Sequence, residues 1–263
     1  MTQFEKCIIL PEDSVFFGSG GSHSIIVLTK DKKAYKFYPY TFYSLSKNIN
    51  KNLENQKENS DNEINIGKNL TKNIVDKNIS PHFVKFFGYG NCSNIYKLFK
   101  KCPKFIDFIT KETTPLCKDY LKGYPIKKYD LEYTVVHMEY CDYSSGNFIE
   151  DVSKMKIDKI KYHLDIFFFQ IFYTLLSTRK IYPFFYHRDF FMRNILGVEQ
   201  EPTNNYYRYH YNKKIFDVPV SKFMPKITDF GMTNLNEKYS DTTLTKTHDA
   251  DFFNILINFL TLK

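Results

Sequence analysis

The chain has 263 residues, 43% hydrophobic and 18% aromatic, enough apolar surface to bury a core and to exclude wholesale disorder. Its formal charge of +8 invites an anionic partner, yet only four of its 37 basic residues are arginine (Arg179, Arg188, Arg193, Arg208), so a solvated lysine surface is expected rather than nucleic-acid binding. Five cysteines (Cys7, Cys92, Cys102, Cys117, Cys141) with no CxxC pair argue against a disulfide framework or zinc finger; with no leader-like start and no spanning apolar run, the expected setting is reducing and cytoplasmic, without a membrane.

Residues 14–38 read as three strands and two turns. SVFFGSGGSHSIIVL contains a glycine turn, Lys30-Asp31-Lys32 makes the second turn, and KAYKFY alternates with period two. Residues 44–62 are rich in Asn and Lys and read as a polar connection. A helix is predicted from Ser60, where Ser60-x-x-Glu63 has the form of a capping box and Glu63, Ile66, Leu70 and Ile74 share a face. Pro81 closes that region, and HFVKFFGYG is the next strand. Residues 100–130 read as an insertion of loops and short helices. TVVHMEY, ending at Tyr140, is a strongly apolar strand.

Ile160, Leu164, Phe167, Ile171 and Leu175 then repeat at helical spacing, with Arg179 and Lys180 well placed at the C-terminus of a long buried helix. The Tyr-rich stretch 199–214 reads as an exposed hairpin extension, preferred over a stacking platform for single strands despite Arg208 and Lys213. PKITDFG is a strand ending in a turn, and Phe252, Ile255 and Phe259 suggest a final helix. Strands dominate the first half and helices the second, which suggests two lobes with a seam near 140–145.

Three motifs carry chemistry. Gly18-Ser19-Gly20-Gly21 lies between two strands, where glycines let backbone N–H groups approach phosphate oxygens without a Cβ in the way. Lys36, on the following strand, can reach the same phosphates as a point charge. In His187-Arg188-Asp189-Phe-Phe-Met-Arg193-Asn194, a carboxylate and a carboxamide five residues apart share one tight loop. Asp189 can accept a hydroxyl proton while the Asn194 carbonyl oxygen holds magnesium. Asp229-Phe230-Gly231 adds a carboxylate that can bridge metal and phosphate.

In this order the motifs resemble those of the protein kinase superfamily, over roughly residues 14–260. The resemblance implies an α+β, two-lobed kinase-like fold with a shortened C-terminal lobe. Residues 1–140 would form an N-terminal lobe of antiparallel sheet plus one helix, and 141–263 a mainly helical lobe. It further implies that Gly18, Ser19, Gly20, Gly21, Ile25 and Ala34 line the ATP site with Met138, Glu139 and Cys141 of a hinge. Lys36 would anchor the phosphates, paired with Glu63. Asp189 would be the base, accompanied by Arg193, and Asn194 and Asp229 would hold Mg2+.

Several positions depart from the family pattern. His23 replaces the third glycine, Phe191 stands where serine/threonine kinases carry lysine, and Arg193 stands where tyrosine kinases often carry arginine. The stretch from Asn194 to Asp229 is long, the segment after Gly231 is short, and no APE follows. Asp249 or Asp251 would brace the catalytic loop. Composition and insertions most resemble kinases encoded by large DNA viruses, which would place the protein in a host cell or virion. The implied activity is transfer of the ATP γ-phosphoryl group to a protein hydroxyl, serine or threonine. The alternatives are a small-molecule kinase of the aminoglycoside or choline kinase kind and an inactive nucleotide-binding pseudokinase.

Overall fold

The computed structural model describes residues 2–3, 15–19, 24–39, 49–93, 133–201 and 203–235. It is a mixed α+β fold whose chain divides into two units, one of residues 1–64 and 86–140, the other of 65–85 and 141–263. The predicted elements in 100–130 and the predicted final helix lie outside the described residues.

The first unit is built on a six-stranded sheet. Its strands are β1 (Thr2–Gln3), β2 (Val15–Ser19), β3 (Ile25–Leu28), β4 (Ala34–Pro39), β5 (Phe86–Cys92) and β6 (Tyr133–Met138), in the order β1-β5-β6-β4-β3-β2. All pairings are antiparallel except β1 with β5, which is parallel. The β3–β4 turn falls where the sequence placed it. There Thr29 both donates its hydroxyl to the Lys33 carbonyl and accepts from the Lys33 amide at 3.0 Å, while Lys32 takes a positive φ of 56°. β6 is interior to the sheet, and its near-continuous burial from Tyr133 to Val136 explains why it reads as an unbroken apolar run rather than an alternating one.

α1 (Ile49–Leu70) starts well before the predicted Ser60 and runs into a π-helical turn at Thr71–Val75. The expected capping box is therefore not an N-terminus: Ser60 and Glu63 stand inside the helix and are buried. Once a helix is nucleated, each added residue gains a hydrogen bond, and the run KNLENQKEN contains enough good helix formers to extend it toward the N-terminus despite its polarity. Ile66, Leu70 and Ile74 are buried, as their spacing predicted. Cys92 is disulfide-bonded, against the expectation of reduced cysteines, whereas Cys141 is a buried thiol outside any disulfide.

The second unit combines a three-stranded antiparallel sheet with two helices and a hairpin. The sheet has the order β11-β8-β7, from β7 (Tyr143–Ser144), β8 (Ile195–Glu199) and β11 (Phe223–Ile227). α2 (Ser145–Ser153) was not predicted, because Ser-Gly-Asn at its start reads as a turn. It is held by a capping box in which Ser144 Oγ accepts from the Asn147 amide at 3.1 Å and Asn147 Oδ1 accepts from the Ser144 amide at 3.3 Å. α3 (Ile157–Ile181) buries Ile166, Phe167, Gln170, Ile171, Thr174 and Leu175 and ends on Arg179 and Lys180, as read from the sequence. Phe148 of α2, Phe167 of α3 and Phe223 of β11 stack with ring centroids 4.7 to 5.9 Å apart. Gly197 of β8 admits that stack, since a Cβ there would overlap the Phe223 ring.

The Tyr-rich stretch forms the antiparallel hairpin β9 (Tyr206–Tyr211) and β10 (Lys214–Pro219). Its two-residue turn, Asn212-Lys213, has φ of 48° and 64°, the doubly positive geometry that matches strand twist. The hairpin is not simply exposed. Tyr209 and Val218 are buried against Ile166 and Tyr173 of α3, with Phe169, Tyr207 and Tyr211 around them. No helix among the described residues is long and apolar enough to cross a membrane.

Candidate active site

In the first unit, β4 presents Lys36 opposite Val136 of β6 and Ile26 of β3. The Lys36 Nζ lies 2.8 and 3.0 Å from the two carboxylate oxygens of Glu63 on α1, and both side chains are almost wholly buried. A buried ammonium needs a counter-charge, and Glu63 supplies it with both oxygens. The Tyr38 ring lies 5.3 Å from the same ammonium. Ala34 and Met138 are register partners on β4 and β6 and are both buried. Gly18 and Ser19 lie on β2, paired with Ile26 and Ile25 next to a bulge. Gly20, Gly21 and His23 lie outside the described residues. Glu139 is half-buried in the segment after β6.

In the second unit the candidate catalytic loop is tightly determined. Phe190 and Met192 are buried on either side of Phe191, and residues Met192–Asn194 form a 3-10 turn. The Asp189 carboxylate accepts from Arg193 Nη2 at 2.7 Å through Oδ1 and from Asn194 Nδ2 at 2.8 Å through Oδ2. Asn194 Nδ2 also donates to the Asp189 main-chain carbonyl at 2.7 Å. With its amide protons committed to Asp189, the carboxamide orientation is fixed, and its oxygen is the end left to meet a cation. Arg193 is 64% exposed and stacks over the Phe191 ring, so it is held only from one side.

The loop is stapled to the segment carrying Asp229. The Thr228 amide donates to the Asn194 carbonyl at 3.0 Å, and the Tyr186 and Asn234 backbones exchange hydrogen bonds at 3.0 and 2.9 Å. The buried His187 donates from Nε2 to the Thr228 carbonyl at 3.0 Å, which fixes its tautomer at that nitrogen, and burial lowers its pKa, keeping it neutral. The Thr233 hydroxyl donates to the His187 carbonyl. Phe230 is fully buried between the rings of His187 and Phe83. Arg188 and Asp229 both have φ of 66°, a conformation costly for residues with a Cβ that persists only where surrounding contacts impose it.

The motifs mark these positions in the sequence but give no role to His187, to the Thr228 backbone or to the Thr233 hydroxyl, each of which acts through a main-chain group distant in sequence. The inward ring of His187 beside Phe230 could have been suspected from the apolar flanks of both motifs. The donor set suits a hard cation: one carboxylate, Asp229, and one carboxamide oxygen, Asn194, on segments joined by the Thr228 amide. Three or more His, Cys, Asp or Glu side chains do not cluster anywhere among the described residues, so a metal here would rely on few protein ligands and on oxygens from substrate and water.

No family model matches the chain. Two curated proteins of Acanthamoeba polyphaga mimivirus are similar to it. "Putative serine/threonine-protein kinase R301" is 29% identical, over 93% of this chain and 69% of its own length. "Putative serine/threonine-protein kinase R400" is 24% identical, over 66% of this chain and 37% of its own length. Among solved structures, the crystal structure of a kinase domain aligns over 91% of this chain and 57% of its own, with 18% identity and a TM-score of 0.42.

Proposed function

Because the chain belongs to the protein kinase superfamily, related to mimivirus serine/threonine kinases, we propose that it is an ATP- and Mg2+-dependent kinase that phosphorylates a serine or threonine hydroxyl on a protein. The observation that supports this most is the joined pair of motifs in the second unit. There Asp189 is oriented by Asn194 and Arg193, and the Asn194 carbonyl is tied through Thr228 to the segment that presents Asp229.

On this reading Lys36, held by Glu63, steers the nucleotide phosphates, and Met138, Glu139 and Cys141 belong to the stretch that recognises the base. Ala34, Ile25 and the Gly18–Gly21 turn complete the nucleotide's surroundings. Asn194 Oδ1 and the Asp229 carboxylate hold Mg2+, which screens the phosphate charge when bound. Asp189 takes the proton of the attacking hydroxyl as the γ-phosphoryl passes to that oxygen and ADP departs. Each Asp189 oxygen accepts one of these hydrogen bonds and keeps a lone pair, so the incoming hydroxyl can donate to the carboxylate while Asn194 and Arg193 hold its orientation. The exposed guanidinium of Arg193, beside the base, is placed to neutralise phosphate charge as transfer proceeds.

The test is transfer of label from ATP to a protein acceptor with and without Mg2+, followed by phosphoamino-acid analysis. Phosphoserine or phosphothreonine that is lost in Asp189→Asn supports the assignment. Nucleotide binding with no transfer to any protein acceptor would sink it and favour the pseudokinase or small-molecule readings.

A further inference from the structure

The inserted hairpin is wired into the strand that leads to Asp229. At its centre, Tyr209 is 3% exposed, and its hydroxyl lies 2.8 Å from Nε2 of His82. His82 is fully buried, and its Nδ1 lies 2.9 Å from the carbonyl of Pro225 on β11. A carbonyl can only accept, so Nδ1 carries the proton, Nε2 is the acceptor, and the Tyr209 hydroxyl must donate to it. The same Tyr209 oxygen then accepts from Gln170 Nε2 of α3 at 3.1 Å. Every proton in this buried chain has one possible place.

From His82 the connection runs along the backbone. The Ile227 amide donates to the His82 carbonyl at 2.8 Å, and the Val84 amide donates to the Ile227 carbonyl at 2.9 Å. Lys226 Nζ donates to the Pro81 carbonyl at 2.8 Å. Residues 81–84 thus meet the end of β11 through one isolated parallel bridge, Phe83 with Ile227, two residues short of Asp229. Tyr173 of α3 ties the same corner to the hairpin, with its hydroxyl within 3.0 Å of the Ile79 carbonyl and 3.2 Å of the His210 carbonyl. An apolar pair would fill this space without the desolvation cost of a histidine and a phenol, so the polar groups fix direction and register rather than bulk.

We propose that Tyr209 is a positioning residue for Asp229, acting through His82 and the bridged segment 81–84; the inference rests on the kinase reading of Asp229. Without the hydroxyl, His82 Nε2 is left as a buried acceptor with no donor, His82 loses its fixed orientation, and the end of β11 loosens.

The variant is Tyr209→Phe, which keeps the ring stack with His82, whose centroid is 5.9 Å away. Val152→Ala in α2 serves as a control that lowers stability outside the network. In Tyr209→Phe the Mg2+ concentration needed for half-maximal transfer should rise about tenfold, with kcat largely recovered at saturating Mg2+, the lower end of what losing a group that orients a metal ligand costs. Hydrogen exchange at the Val84 and Ile227 amides should quicken in the same variant. Val152→Ala should do neither. Equal shifts in both variants, or none in Tyr209→Phe, overturn the proposal. If the wild type shows no Mg2+-dependent transfer, the kinase reading fails by itself. The exchange data then still decide whether Tyr209 orders this segment, and unchanged Val84 and Ile227 exchange rejects it.

Discussion

Replacing the Lys36–Glu63 pair separates what it does for the fold from what it does for chemistry. At 2.8 Å the attraction amounts to about 6 kcal/mol for an effective dielectric of about 20. Both side chains are nearly dry, and withdrawing each charge from water costs several kcal/mol, so the pair as a whole adds little net stability. Either charge left alone is a different matter. Glu63→Ala strands an ammonium and Lys36→Ala strands a carboxylate, and each should cost about 3–5 kcal/mol. The double variant Lys36→Met/Glu63→Leu removes both charges and fills the space, so its stability should return to within about 1 kcal/mol of wild type or exceed it. Urea denaturation gives the four stabilities, and phosphotransfer gives the four activities. Turnover should be lost in the double variant although the fold is restored. A double variant no more stable than the weaker single would refute the buried-pair argument, and one with wild-type turnover would show that the phosphates are anchored elsewhere.

Asp189→Asn should leave Mg·ATP affinity nearly intact while transfer falls ~10²–10⁴-fold, whereas Asp229→Asn should weaken both; calorimetric titration beside a transfer assay distinguishes them, and equal behaviour would merge the two roles. Burial holds the His82 pKa down at about 3, below its ordinary 6.5, so its contribution to stability is complete above pH 6.5 and is lost as pH falls from there toward 3. That amounts to roughly 2 kcal/mol between about pH 7.5 and 5, with the buried His187 adding in the same direction. His82→Gln should therefore show a shallower decline in urea midpoint with acid, and parallel curves for variant and wild type would remove His82 as the cause. Gly197→Ala should destabilise by about 1–3 kcal/mol, because Phe223 would have to leave its stack with Phe148 and Phe167; an unchanged melting temperature would show that the ring can move freely.

Legibility in the sequence followed the range of the interactions. β6 and α3 were readable because burial of their own side chains sets their pattern, and the β3–β4 turn because it is closed by its own five residues, Thr29 to Lys33. Lys36 and Glu63 could be nominated from motif and helical face, and the structure brings them into contact across 27 positions. The start of α1 was misread because a local signal, Ser60-x-x-Glu63, looked like a cap when Glu63 was already committed to Lys36. α2 was missed because only Phe148 and Val152 mark its buried face. His82 and Tyr209, 127 positions apart, left no trace in any local pattern. Nothing short of the folded backbone could pair them.

The β8–β11 ladder begins at Ile195, directly after Asn194, and ends at Ile227, two residues before Asp229, with those two isoleucines facing each other in register. Everything between is looped out from that rung. The hairpin departs and returns at a neck closed by the Val220 amide on the Asn205 carbonyl, 3.1 Å apart, so its closure is settled locally. Chain length between the two magnesium-ligand candidates is therefore decoupled from the separation of their side chains. Segments of very different size could be spliced at this neck without respacing the two ligands, and motif spacing along the chain is a poor ruler for this site. The composition of the spliced segment is not neutral in the same way, because one tyrosine in it reaches back into the core.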